Sequence, residues 1–388
     1  QRAIGLEPCV YAHNGSYTDH IGKTNGKTHT PPVLPVLPVL PELDGLRAVA
    51  AFGILTTHVA FQAGTGSRFL ERFDFFVPVF YALSAFLLAR GGQRPGYYRR
   101  RVARIAPAYL VCVAVVLVTL PSLSTVTASQ AAANLAMVQI YVPGGLIDGL
   151  THIWSLCVEV AFYLVLPLYL RLGQRGRWAV IMAAVPLGLC WPWFVRPFYD
   201  PAILNLQIWP PSFAPWFAVG LVLAELERLK VRYSGPRWPF PLSGLVVAWF
   251  AGLIGPPGLI HPTPHEFNAR VICGTIFAAC FVAPFALGPR SSGTLLSSRP
   301  MVTLGRWSYS IFLWHMSVLH FAFPVLGLSL FDAPFIPIWI FTAVVTSAVG
   351  YVSYELVEVP GARLVLSGKA RHATARQPAS ASNHVSPA

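Results

Sequence analysis

Leu43-Asp44-Gly45-Leu46-Arg47-Ala48-Val49-Ala50-Ala51-Phe52-Gly53-Ile54-Leu55-Thr56-Thr57-His58 is the stretch on which the fold turns. Between Arg47 and His58 everything except two threonines and a glycine is alanine, valine, leucine, isoleucine or phenylalanine. Eleven residues at about 3.6 per turn make roughly three turns, so both side chains share one helical face, about 16 Å apart along the axis. Ionisable groups within a membrane are costly, face the bundle interior and mark functional sites. The spacing predicts a membrane-spanning helix over 43–62, with Arg47 near one interface and His58 past the midplane.

The rest of the chain supports a membrane class. Of its 388 residues 55% are hydrophobic and 11% charged, where a soluble domain carries about a quarter charged residues. Apolar runs of the length that crosses a roughly 30 Å hydrocarbon core recur throughout, and barrel-type alternation does not. The predicted fold is an all-α membrane bundle of about ten transmembrane helices, near 43–62, 73–89, 105–120, 153–170, 178–194, 211–227, 242–260, 269–287, 302–323 and 335–356. The predicted domains are a polar, then proline-rich leader over 1–41, the membrane domain over 42–364, and a disordered tail over 365–388. Val-Leu-Pro repeats in the leader favour polyproline II and forbid helix. The outer connection 121–152 has no Lys or Arg, and its alanine-rich 131–138 stretch reads as a short interfacial or re-entrant helix.

Charge orients the bundle. With the N-terminus inside, the inner connections hold Arg90, Arg94, Arg99, Arg100, Arg101 and Arg104, then Arg171, Arg175 and Arg177, then Arg228, Lys230, Arg232 and Arg237, then Arg290, Arg299 and Arg306, and finally Arg363, Lys369, Arg371 and Arg376. The outer connections hold only Arg68, Arg72, Arg196 and Arg270. This bias places both termini in the cytoplasm and the protein in the plasma membrane as a multi-pass chain. The formal charge of +13 therefore points to anionic membrane lipid and not to nucleic acid. Five of the six cysteines fall in predicted spans and none forms a C-x-x-C pair, so they read as small buried apolar residues. His261-Pro262-Thr263-Pro264-His265 lacks a third ligand and regular spacing, and no metal is expected.

Four ordered patterns resemble the type 3 acyltransferase family of multi-pass membrane O-acyltransferases. They are Leu43-Asp44-Gly45-Leu46-Arg47-Ala48 with His58; Phe80-Tyr81-Ala82-Leu83-Ser84-Ala85-Phe86-Leu87 followed by Arg101-Val102-Ala103-Arg104-Ile105-Ala106-Pro107; Trp154-Ser155-Leu156-Cys157-Val158-Glu159 with Phe162-Tyr163; and Leu304-Gly305 with Ser308-Tyr309, Leu313 and His315, closed by Glu358-Val359-Pro360. The resemblance runs from about 43 to 364. It departs at Ala85, where the family commonly has Gly, and at Pro78-Val79, where many members carry an Asp nearby.

The resemblance implies transfer of a short acyl group, chiefly acetyl, from acyl-CoA to a hydroxyl of a cell-envelope glycan, a glycolipid or a macrolide-like product. An alcohol attacking a thioester loses its proton in the transition state, a task suited to a neutral imidazole, and His58 is the candidate base. Arg101 and Arg104, three apart on the inner end of one helix, suit the phosphates of the donor, with Arg47 as a third contributor to donor binding or to the catalytic end. Glu159 needs a buried partner; an Arg or His of the first span is the economical choice, where it either orients the imidazole or pairs structurally. Ser84, Tyr163, Ser308, Tyr309 and His315 line the path, stabilise an oxyanion or serve packing. The competing class is a transporter in which Arg47, His58 and Glu159 form a proton or anion pathway. Oligomeric state is not readable from the sequence.

Overall fold

The computed structural model describes residues 40–120, 125–198, 200, 204–258, 260–289, 291 and 293–374. Residues 1–39 of the expected leader and 375–388 of the expected tail lie outside the described residues. Thirteen α-helices follow in order: α1 Pro41–Gln62, α2 Arg68–Glu71, α3 Phe76–Gly91, α4 Tyr97–Thr119, α5 Ala128–Leu135, α6 Trp154–Arg171, α7 Gln174–Val195, α8 Ala214–Arg228, α9 Pro239–Ala251, α10 Pro264–Ala286, α11 Arg299–Leu326, α12 Phe335–Ser353 and α13 Val359–Thr374. A π-helical turn, Tyr354–Glu358, joins α12 to α13. No strand occurs among the described residues beyond one isolated bridge between Ser329 and Asp332.

Local chemistry sets the ends. Proline opens α1 and α10, where its missing N–H costs nothing. Thr263 caps α10 through a capping box with Glu266, so the His261–His265 stretch is a helix start. α11 stops at Gly327, whose φ of 67° is the left-handed turn that glycine adopts freely. α13 runs on to Thr374, past the boundary at 364 where the sequence predicts a disordered tail.

Seven helical stretches are long and apolar enough to cross a bilayer: Arg68–Gly91, Tyr97–Thr119, Thr151–Arg171, Gln174–Phe198, Pro264–Ala286, Arg299–Leu326 and Phe335–Ser367. Large apolar side chains point away from the protein on their outer faces, with Val118 86% exposed and Leu164 58%. The other three predicted segments are also helical but fall short of that measure. α8 has 15 residues and α9 has 13, where a span needs about 20. α1 is long enough but carries Glu42, Asp44, Arg47 and His58.

Its position accounts for that polarity. α1 packs against α3, α10, α11 and α12 and buries most of its length, so its polar groups meet protein and not lipid. The approach of α1 to α11 and to the 3-10 turn Leu295–Ser297 before it is close enough to require glycine: a Cβ on Gly305 would overlap the Asp44 carbonyl, and one on Gly45 the Leu296 carbonyl in that turn. Gly305 and Gly45 belong to two of the sequence patterns, and this contact is their shared purpose. At Ala85, where the expected glycine is absent, α8 still comes close, because Gly220 faces Ala85 and the Ala82 carbonyl.

The connection between α4 and α6 folds back onto the bundle. The Tyr109 hydroxyl, fully buried on α4, donates to the Asn134 carbonyl at 2.6 Å. Tyr109 lies ten residues before the C-terminal end of α4, about 15 Å along the helix. α5 is thereby tied to α4 at its buried end, and Asn134 holds it there by donating to Gln130 and Gly145 carbonyls.

Candidate active site

Three imidazoles meet beneath this connection. His58 projects from α1, His315 from α11, and His152 from the 3-10 turn Thr151–Ile153 that precedes α6. His58 Nδ1 and His315 Nε2 are 2.8 Å apart. His315 Nδ1 lies 2.7 Å from the Phe312 carbonyl, and His152 Nε2 3.2 Å from the Leu313 carbonyl. The His152 ring stands edge-on to His315, centroids 4.7 Å apart, and 6.3 Å from His58.

These bonds order the protons. A carbonyl oxygen only accepts, so His315 Nδ1 carries a hydrogen and donates it to Phe312. Neutral His315 then offers a lone pair at Nε2, and the short contact is satisfied when His58 Nδ1–H donates into it. His58 is left with its lone pair on Nε2, the state a general base requires. By the same reasoning His152 donates from Nε2, and its Nδ1 is a buried lone pair with no partner among the described residues.

The inner end of the bundle gathers the arginines. Arg47 Nη1 lies 3.4 Å from Asp44 Oδ1, and Asp44 also feels the charges of Arg306 and Arg104. Arg104 forms an ion pair with Glu358, which is 2% exposed, and its guanidinium lies 5.5 Å from the Tyr309 ring. The Ser310 hydroxyl donates to Glu358 at 3.0 Å, and the Tyr309 hydroxyl to the Ile105 carbonyl at 2.9 Å. Glu358 sits in the π-helical turn, which aims it at α4. Thus the Arg101–Pro107 and Glu358–Pro360 patterns are two halves of one contact.

Arg101 goes elsewhere. Three residues before Arg104, its guanidinium lies between the rings of Tyr97 and Tyr163, 5.9 and 5.8 Å from their centroids. Its Nε, like that of Arg306, is buried without a partner among the described residues. Such donors are costly to bury unless an acceptor arrives.

Glu159 does not meet the first span. Its Oε1 accepts the Ser84 hydroxyl in a short bond and the Tyr163 hydroxyl at 2.5 Å. The reason is depth: His152 occupies the layer of His58, and Glu159, seven residues on, lies about 10 Å further in. Glu159 reaches Arg101 through the Tyr163 ring and has no contact with Arg47 or His58. His152 carries the role of neighbour to His58, and no local pattern in the sequence marks it, since its partners are 94 and 163 residues away.

Among the described residues, no group of three His, Cys, Asp or Glu is arranged to hold a metal ion.

Comparison with known proteins adds the family. A family model described as an acyltransferase domain matches residues 40–355. Acyltransferase MdmB of Streptomyces mycarofaciens is 29% identical over 318 residues, covering 73% of this chain and 80% of that protein. The putative peptidoglycan O-acetyltransferase YrhL of Bacillus subtilis (strain 168) is 27% identical over 352 residues, 82% of this chain and 54% of its own length. O-acetyltransferase OatA of Staphylococcus aureus (strain NCTC 8325 / PS 47) is 26% identical over 348 residues, 82% of this chain and 56% of its own. The chain thus spans about half the length of the latter two. No solved structure matches. A match that runs unbroken from α1 through α12 carries one conclusion: this chain belongs to the type 3 acyltransferase family and is a membrane O-acyltransferase.

Proposed function

We propose that the protein transfers a short acyl group, most simply acetyl, from acyl-CoA to an acceptor hydroxyl, with His58 Nε2 as the general base. The observation that carries this is the His58–His315 hydrogen bond, which leaves the Nε2 lone pair free. As the hydroxyl oxygen attacks the thioester carbonyl, Nε2 takes its proton. Collapse of the tetrahedral adduct breaks the C–S bond, and the same proton passes to the departing thiolate, giving ester and free coenzyme A. His315 holds the His58 ring by accepting from Nδ1, and the Phe312 carbonyl holds His315, the place a carboxylate takes in other triads.

The donor enters from the cytoplasmic end. Arg101 and Arg306 each hold a buried Nε without a partner, which favours an incoming phosphate. Arg104 and Arg47 are already matched by Glu358 and Asp44, and they contribute to the field at the mouth more than to a free valence. The acceptor reaches His58 from the outer side, past α5. Its class is a hydroxyl of a cell-envelope glycan, a glycolipid or a macrolide-like product. The printed names of YrhL and OatA support the first.

In this reading all ten predicted segments span the plasma membrane with both termini cytoplasmic. α1, shielded by its neighbours, tolerates its charges, and the short α8 and α9 cross as part of the protein-lined bundle.

The test supplies labelled acetyl-CoA to membranes holding equal amounts of wild type and His58→Ala, and follows label into glycan, lipid and small-molecule fractions. A loss of about 10²–10⁴ in the variant is expected for a missing general base. Transfer undiminished in His58→Ala removes His58 from the role.

A further inference from the structure

A cavity lies at the cytoplasmic edge of the bundle, away from the histidine layer, and nothing in the acyl-transfer reading uses it. It encloses about 530 Å³ where the residues leading into α4 meet the last turn of α6. Arg94, Arg99 and Arg171 line it together with Tyr97, Tyr98 and Leu168, and no carboxylate does.

That charge is uncompensated, unlike that of five neighbouring pairs. Arg90 pairs with Glu227, Arg177 and Arg228 with Glu225, Arg237 with Glu42, and Arg104 with Glu358. Arg94, Arg99 and Arg171 have no ion-pair partner among the described residues. Arg99 Nη1 and the Tyr97 hydroxyl are moreover buried atoms with no hydrogen bond. α4 begins at this cavity behind Gly96, with no side chain capping its first turn, so the positive end of a 23-residue helix adds to the field. Three guanidinium groups, a buried hydroxyl and free backbone N–H groups ask for a phosphate ester.

The cavity wall identifies which kind. Leu168 is 59% exposed, and Leu164 and Val165, one turn nearer the membrane centre, are 58% and 59% exposed. The Tyr98 hydroxyl donates to the Leu164 carbonyl at 3.1 Å and closes the corner between α4 and α6. A cationic roof over an apolar, outward-facing wall suits a headgroup whose acyl chains continue down the helix surface. Arg101, by contrast, is turned to Tyr97 and Tyr163.

We propose that this cavity is a binding site for one anionic phospholipid of the inner leaflet, its phosphate held by Arg94, Arg99 and Arg171. The site rests on the membrane embedding and not on the acyl-transfer reading, so a failure of His58 chemistry leaves it standing.

The experiment uses the purified full chain in detergent. Native mass spectrometry compares retention of phosphatidylglycerol and phosphatidylcholine by wild type, Arg94→Gln/Arg171→Gln and Arg94→Lys/Arg171→Lys. Wild type should retain phosphatidylglycerol at least fivefold better, the Gln pair should lose that preference, and the charge-keeping Lys pair should retain most of it. Arg171 is exposed and Arg94 half-buried with one bond, to the Gly91 carbonyl, and the thermal melting of each variant should stay at that of wild type, which separates lost binding from lost folding. Equal retention of the two lipids by wild type, or unchanged preference in the Gln pair, overturns the proposal. In a second arm adenosine 3′,5′-bisphosphate is titrated; a tenfold weakening in the Gln pair with lipid preference unaltered assigns the cavity to donor phosphates and also overturns it.

Discussion

His58 and His315 stand 257 residues apart in the chain and 2.8 Å apart in the fold, Nδ1 to Nε2. The bond gives each ring one tautomer, and it makes a test of positioning possible. His315→Ala leaves the base in place but free to turn, so acyl transfer should fall by about tenfold to a hundredfold, less than for His58→Ala. The His58→Ala/His315→Ala pair should be no worse than His58→Ala alone, because residues that act as a unit are not additive. Labelled-acetyl transfer in matched membranes measures all three. Losses that multiply would mean that His315 acts independently of His58.

Glu159 tests the layering of the site. Its carboxylate bonds Ser84 and Tyr163 and stands about 10 Å below His58. Glu159→Gln keeps an oxygen acceptor there, so it should cost under about tenfold in transfer while His58→Ala costs far more. A loss in Glu159→Gln equal to that of His58→Ala would restore the direct pairing that the sequence suggests.

The Arg104–Glu358 pair joins α4 to the π-helical turn, with Glu358 2% exposed and hydrogen-bonded to Ser310. Removing one partner leaves a buried charge. Arg104→Met, which leaves the Glu358 carboxylate buried and unpaired, should therefore destabilise by about 3–5 kcal/mol, whereas Arg104→Met/Glu358→Leu should be milder than that single change. Thermal unfolding of detergent-purified protein, followed by the loss of the monodisperse species, reads the order. A double variant that falls at the sum of the two single changes would show that the residues do not pair.

Gly305 allows α11 to touch the Asp44 carbonyl of α1. Gly305→Ala forces the helices apart and should destabilise by about 1–3 kcal/mol. Because His58 and His315 ride on these same helices, transfer should drop as well, by more than the loss of folded protein. The control is Gly293→Ala, where nothing lies within 4 Å of the added methyl. Equal melting of both variants would remove the close approach as the reason for this glycine.

Much of the bundle is legible in the residues because membrane burial imposes a local rule. Nine of the ten apolar runs are helical over most of their length and the tenth, 242–260, only as far as Ala251, since every backbone group in hydrocarbon must bond within its own segment. The alanine-rich stretch at 131–138 is helical as far as Leu135, the end of α5, but its docking to α4 is set by Tyr109, which no local pattern reveals. His58 stands out as an imidazole among alkyl side chains. His152 does not, because it sits at a helix boundary where polar residues are ordinary.

Sequence by itself determined the membrane class, the positive-inside bias, the family patterns and the face shared by Arg47 and His58, all consequences of spacing along single helices. Only the tertiary structure decided who meets whom. It sent Arg104 to Glu358, Arg101 to two tyrosines and Glu159 to Ser84, and it brought His152 and His315 to His58. Depth and rotation of one helix against another are set by where glycines allow close contact, as at Gly45 and Gly305. That information lies in pairs of residues far apart in the chain, and no window along one helix contains it.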